Sequence, residues 1–280
     1  MASQSPHPGL AGNQEFTFSQ SSLQDYADCP RRFQLRYLDR LVWPSVEAEP
    51  VSEGEGRQRD ALLFHRMVQQ HLLGTPSHIL GAMRKSADLG RWWANYVDAS
   101  PSLAGFSLHP EQGLAAYVDD YRLVAKYDLV AIRSGSAEIY DWKTHARKPP
   151  AERLAARWQT RIYRAMLVRA GAELNGGRAL KPREVTMVYW FAEFPSETVR
   201  LAYDENQYQR DWAALGSLIQ EIAAAHQFPM TEDRSRCRFC VYRSLCDRGT
   251  QAGPLQELDD ELSEQPTTDA DLGPIAELGS

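Results

Sequence analysis

Apolar positions along the chain follow two rhythms, and the point where one replaces the other divides the sequence. In the first hundred residues they recur at helical spacing. Ser19, Ser21 and Ser22 can cap a helix that carries Leu23 and Tyr26 and breaks at Cys29-Pro30. A second helical run should cover 33–41, and the Pro-, Gly- and Glu-rich stretch 46–56 reads as a loop. Ala61, Leu62, Val68 and Leu72 then mark an amphipathic helix that stops at Gly74 and carries His65 on its inward face. A further helix is expected over 84–98, with Trp92, Trp93 and Tyr96. From Phe106 the rhythm shortens, predicting strands over 106–110, 114–118, 121–132 and 137–143, the last two joined by a turn at Arg133-Ser134-Gly135-Ser136. A helix over 152–170 ended by Gly171, strands over 184–191 and 198–202, and a helix over 205–226 complete the pattern. It predicts a mixed α/β core with a helical layer before it and a cysteine-bearing lobe after it.

Composition narrows the class only slightly. Of the 280 residues, 43% are hydrophobic and 24% charged, ordinary values for a globular chain. No run approaches the roughly 20 apolar residues of a membrane helix, and the first fifteen residues have neither a basic start nor an apolar stretch. The expectation is a cytoplasmic protein with no membrane partner. The net charge of -6 argues against a nucleic-acid partner until it is placed: eight acids and no base lie between Pro254 and Ser280, leaving 31 bases against 29 acids in the body. Residues 1–15 and the acidic tail 251–280 read as disordered ends around one folded domain, 16–250.

Candidate chemistry begins at Asp128, followed thirteen positions on by Asp141, with Lys143 two further. Residues two apart in a strand share a face, so Asp141 and Lys143 point together while Trp142 turns away and leaves its carbonyl near them. Pairing across the Ser-Gly turn would bring the Asp128 carboxylate to the same point. Hard oxygen ligands of this kind suit magnesium or manganese. By themselves the three residues are more readily read as strand-edge charges, His65 as a satisfied core histidine, and Gln159 with Tyr163 as an ordinary one-turn pair.

The four cysteines form one pattern, Cys29 alone and then Cys237-x2-Cys240-x5-Cys246 in an Arg-rich loop. A metal site accounts for them better than four buried thiols, since that loop offers little to bury them in. Spacing alone leaves structural zinc and an iron-sulfur cluster both open. Arg31, Arg32 and Arg36 near the first cysteine, and Arg234, Arg236, Arg238, Arg243 and Arg248 around the others, are candidates for contact with phosphates. Arg153, Arg157, Arg161 and Arg164 form another stripe, opposite Ile162 and Met166, which reads as a solvated helix face.

The order Gly56-x8-His65, Asp128, Asp141-x-Lys143, Gln159-x3-Tyr163 resembles the successive motifs of RecB-like nucleases of the PD-(D/E)XK superfamily, over roughly residues 18–248. The proline that names the superfamily is absent before Asp128, where Lys126-Tyr127 stands. The resemblance implies a restriction-endonuclease-like core, a mixed sheet flanked by helices, and a metal-dependent DNA nuclease acting on single strands or ends. His65, Asp128, Asp141 and the Trp142 carbonyl would hold Mg2+ or Mn2+. Lys143 would position water and offset phosphate charge, and Gln159 and Tyr163 would orient the site or touch DNA. Tyr26-x2-Cys29-Pro30-x2-Phe33 with the cysteine triple resembles the iron-sulfur nuclease domains of AddB and of CRISPR-associated RecB-like exonucleases. This implies a [4Fe-4S] cluster on Cys29, Cys237, Cys240 and Cys246 rather than zinc, and DNA contact by Arg31, Arg32, Arg236, Arg238 and Arg243. A reading of another class, a non-catalytic iron-sulfur DNA-binding module with a vestigial nuclease site, is opposed by the presence of all six motif residues. No Gly-rich Lys-Ser/Thr loop is visible, so ATP-driven unwinding implies a helicase, recombination or CRISPR partner protein.

Overall fold

The computed structural model describes residues 10, 16–41, 53–83, 85–238 and 240–249. The expectations for both termini therefore lie outside the described residues, Leu10 excepted. Among the described residues no helix is long and apolar enough to cross a membrane.

Ser19 opens the first helix by accepting from the Ser22 N–H, and Ser22 answers it, so α1 (Gln20–Asp28) starts on a capping box. Pro30 then begins α2 (Pro30–Phe33), which runs into a π-turn over Gln34–Leu38. The amphipathic segment forms α3 (Glu53–Leu72), followed by a short α4 (Ser77–Gly81) and by α5 (Ala87–Ala99). The last starts later than the expected 84, because Ser86 caps it by accepting from the Leu89 N–H.

Five longer strands and one short one make a six-stranded sheet: β1 (Thr17–Ser19), β2 (Ser107–Val118), β3 (Tyr121–Arg133), β4 (Ser136–Lys143), β5 (Val185–Phe191) and β6 (Phe194–Ala202). β3 is the spine. β2 lies antiparallel along one of its edges, while the other edge takes β1, parallel, at residues 122–124 and β4, antiparallel, at residues 129–133. Between those two partners, positions 125–128 of β3 face a gap. β5 then pairs parallel with β4, and β6 antiparallel with β5.

Each face of the sheet has its own core. On one, Leu123, Tyr127, Val130, Ile139, Met187 and Tyr189 pack against α1, against α7 (Trp158–Ala170) through Ile162 and Met166, and against α8 (Glu205–Ala224) through Leu215 and Ile219. On the other, Leu129, Tyr140, Trp142 and Trp190 pack on Phe64, Met67, Trp92 and Tyr96 of α3 and α5.

Three expectations are corrected. The segment 106–118 forms one strand, not two. Its alternation reverses at Glu111, so that Leu108 packs on the α5 face and Leu114 and Val118 on the α7 face, which made it look like two runs. The α3 face that enters the core is Phe64, Met67 and Val68, while Leu62 is 48% exposed. The helix expected over 152–170 is broken: α6 (Ala151–Ala156) ends at Arg157, whose ψ of 143° is extended, and α7 starts afresh with the Trp158 N–H on the Gln24 side chain.

Candidate active site

β3 and β4 pair as far as Leu129 with Tyr140, and the next two positions in that register are Asp128 and Asp141. At that step the ladder gives way. The Asp128 carboxylate accepts from the Trp142 N–H at 2.9 Å, taking the place of a backbone partner. The strand also changes face there: Leu123, Ala125 and Tyr127 point to the α7 core before Asp128, Val130 and Ile132 after it. Glu111, the β2 residue opposite Asp128, has φ of 52°, so both strands of the hairpin slip phase together. Paired irregularities of this kind re-aim a side chain, here into the gap between β1 and β4.

Five side chains, of His65, Asp128, Asp141, Lys143 and Gln159, converge on that gap. His65 projects from the flank of α3, with Nδ1 3.3 Å from Asp128 Oδ2. Lys143 Nζ lies 2.9 Å from Asp141 Oδ2, 3.3 Å from Gln159 Oε1 and 5.7 Å from the centre of the Tyr189 ring. Gln159 sits in the first turn of α7, placed there by the break at Arg157. Asp141 and Lys143 are buried, whereas His65 and Asp128 keep 31% and 21% of their side-chain surface. Tyr163, 4% exposed, takes its place behind this layer. Its hydroxyl accepts from the Gln20 amide and its carbonyl receives the Tyr127 hydroxyl. The Trp142 ring stacks on Tyr140 in the opposite core.

Charges in the centre compensate one another in pairs. Burial works to lower the His65 pKa, but the Asp128 carboxylate outweighs it and holds the imidazole above its ordinary 6.5. Burial likewise works to raise Asp128, and His65, the Trp142 N–H and Lys143 bring it below the usual 3.8. Among the described residues no group of three or more His, Cys, Asp or Glu is disposed to hold a metal ion as it stands. The donor set nevertheless fits a hard divalent cation, with two carboxylates and an imidazole around one gap. To bind it, His65 must present an unprotonated ring nitrogen and Asp141 must share itself between Lys143 and the ion.

Sequence reasoning missed Glu111, which approaches this centre from β2. Burial and Asp128 raise its pKa, while Lys126, 2.9 Å away, holds it by an ion pair. Only its position opposite Asp128 in the hairpin could have pointed to it. Also missed was the clasp at Glu193, which receives Arg57, Arg91 and the Trp92 indole N–H; Arg57 in addition donates to the Thr144 carbonyl at 2.8 Å, tying α3 to the end of β4. One carboxylate between two helices leaves no sequence signature.

The four cysteines gather at a corner made by the α1–α2 junction and the last short turns, where they line one cavity of about 20 Å³. Thr231 donates its N–H toward Cys29 Sγ at 3.5 Å. Burial first, and the neighbouring cysteines with it, push the Cys237, Cys240 and Cys246 thiols up, Cys246 to about 11. Arg32, expected at DNA, is instead 7% exposed, 2.8 Å from Asp25 and 2.7 Å from Asp28. It is bound into the fold because Asp25 and Asp28, a turn apart on α1, need a buried cation. Arg236 joins Asp28 from the other side, Arg31 reaches the Gln34 amide, Arg243 is half-buried against the Cys240 carbonyl, and Arg238 is exposed.

With fold and site in place, the comparisons with known proteins agree. The family model of the PD-(D/E)XK nuclease superfamily matches residues 17–247. The chain belongs to that superfamily, whose members typically work with divalent metals such as Mg2+ or Mn2+. No curated protein matches it. Among solved structures, a protein named "Putative exonuclease" from Eubacterium rectale superposes with a TM-score of 0.52 at 13% identity, over 79% of this chain and 86% of that one, a likeness of fold. The protein SSO0001 covers 84% of this chain and 87% of its own at 14% identity, but a TM-score of 0.39 carries no argument.

Proposed function

We propose that the chain is a RecB-like, divalent-metal-dependent deoxyribonuclease that processes single strands or DNA ends, in repair, recombination or CRISPR adaptation, alongside a helicase or recombination partner. The observation that supports this most is the register of β3 and β4, which makes Asp128 and Asp141 neighbours and sets His65 and Lys143 against them. His65, Asp128, Asp141 and the Trp142 carbonyl would hold Mg2+ or Mn2+, which supplies a Lewis acid for water and phosphate. Lys143, steadied by Gln159, carries a fixed positive charge to the place where negative charge grows on the phosphate. Tyr163 supports that arrangement from behind through Gln20 and Tyr127. Cys29, Cys237, Cys240 and Cys246 are assigned a [4Fe-4S] cluster that joins positions 208 residues apart in the chain. Arg31, Arg236, Arg238 and Arg243 around it would meet backbone phosphates without reading sequence.

The test is degradation of end-labelled single and double strands with magnesium or manganese, by anaerobically purified wild type and Lys143→Ala. Metal-dependent cleavage lost in the variant is the expected result, and cleavage that survives it overturns the active-site assignment. Iron and sulfide analysis of the same sample decides the cluster: one zinc with neither iron nor sulfide refutes it and leaves the nuclease reading intact.

A further inference from the structure

On the side of α7 away from Lys143, a cleft of about 310 Å³ opens between the end of α6 and the start of α8. Its walls are Ala155, Ala156, Arg161, Arg164, Gln207, Arg210 and Asp211. The small alanines leave the space, and three guanidiniums face one carboxylate across it. Asp211 is fully engaged: it takes Arg161 Nε at 2.7 Å, Arg164 at 3.5 Å and the Tyr203 hydroxyl at 3.1 Å. One carboxylate cannot neutralise three cations, so the cleft keeps a surplus of two positive charges.

The donors on the rim are unspent. Arg161 gives only its Nε to Asp211 and lays its plane on the Trp158 ring at 4.2 Å, which leaves its terminal nitrogens directed elsewhere. Arg164, 5% exposed, bonds to the Ala202 carbonyl and stacks on Tyr203, yet its Nε has no hydrogen-bond partner among the described residues. Gln207 Oε1 is buried without a partner, and turning the amide over puts an NH2 group there. Arg210 is exposed and makes no ion pair or hydrogen bond among the described residues. A half-open cleft with surplus positive charge, preformed guanidinium forks and an idle amide has the chemistry of a phosphate site. The arginine stripe expected to be solvated is thus partly wall.

We infer that this cleft binds a phosphate group, brought either by a free nucleotide or by a nucleic-acid strand, at a site separate from the cleavage centre. It needs neither the metal nor cleavage, so it stands or falls apart from the nuclease reading. The test is calorimetric titration of the full chain in EDTA with inorganic phosphate, with a nucleoside 5′-monophosphate and with a short single-stranded oligonucleotide, in wild type, Arg210→Ala, Arg210→Glu and Arg161→Ala. Arg210 has no structural partner to lose, so its variants keep the question open if Arg161→Ala fails to fold. Loss of one charge-assisted contact should weaken binding roughly tenfold in Arg210→Ala, and more in Arg210→Glu. A response to the two small ligands assigns the site to a free nucleotide, and one confined to the oligonucleotide assigns it to a strand. Affinities unchanged in both Arg210 variants, or no binding of any of the three by wild type, overturn the inference.

Discussion

The carboxylate centre and the cysteine corner both gather residues that lie far apart in sequence, but by different means. The first is built on a ladder: β3 and β4 hold Asp128 and Asp141 in register, α3 and α7 bring His65 and Gln159 from either side, and every charge meets an opposite one. The second is built on turns. Its cysteines sit on the α1–α2 junction and on short turns after α8, around a cavity, where burial and the neighbouring cysteines push the Cys240 and Cys246 thiols up. The contrast teaches that ion pairs and strand register hold the first site together without a ligand, while the second is held by turns around a cavity.

The largest effect that separates the two should be on cleavage. Lys143→Ala removes the fixed charge at the phosphate and should slow single-turnover cleavage by about 10²–10³-fold or more. Cys29→Ser, which touches nothing at the centre, should change that rate constant far less; equal losses would erase the distinction.

Stability should separate them next. Lys143→Ala removes the cation 2.9 Å from the buried Asp141, which should cost about 3–5 kcal/mol in EDTA-treated protein, measured by urea unfolding. Replacing both residues, Lys143→Met with Asp141→Leu, should restore much of it. A single variant as stable as wild type would mean that Asp141 is already compensated by other groups.

At the cysteine corner, Cys29→Ser should cost a few kcal/mol through loss of the proposed cluster, which would join the two ends. Removing metal from wild type should reproduce that loss and leave Cys29→Ser unaffected; melting temperatures with and without chelator check it. A chelator effect of equal size in both proteins would place the bound metal elsewhere.

The smallest expected effect is the dependence on pH. Because Asp128 raises the His65 pKa above 6.5, their pairing stabilises the metal-free protein fully below about pH 6.5 and fades as pH rises through the folded-state value. The gap in melting temperature between wild type and His65→Ala in EDTA should therefore narrow as pH rises above 6.5, and the proposed magnesium affinity should rise over the same window as the proton leaves. A constant gap would remove the pair from the centre.

Much of this was legible in the sequence because it is local. Asp141, Trp142 and Lys143 alternate within one strand, and the Ser-Gly turn fixes how that strand returns beside Asp128. What was hidden depends on partners distant in sequence. β1 is three residues long and earns its place only against residues 122–124. The break at Arg157 answers to Gln24, and Arg164 is buried because Asp211 of α8 lies over it. Helical periodicity says which side of α7 is apolar, but not that the polar side would also be covered.

Among the described residues β2 is an outer strand, bonded to β3 alone, and it carries Tyr117 65% exposed. Twelve residues of open edge with a bare aromatic invite a second chain to add its own strand. Pro110 contributes no N–H, and the left-handed Glu111 turns the next peptide out of line, so the edge is cut into the short runs Ser107–His109 and Gln112–Val118. The same kink that aims Asp128 inward thus keeps the outer rim from becoming a template for aggregation, and a Pro110→Val, Glu111→Val chain, whose β-branched residue disfavours the left-handed backbone, would trade solubility for regularity.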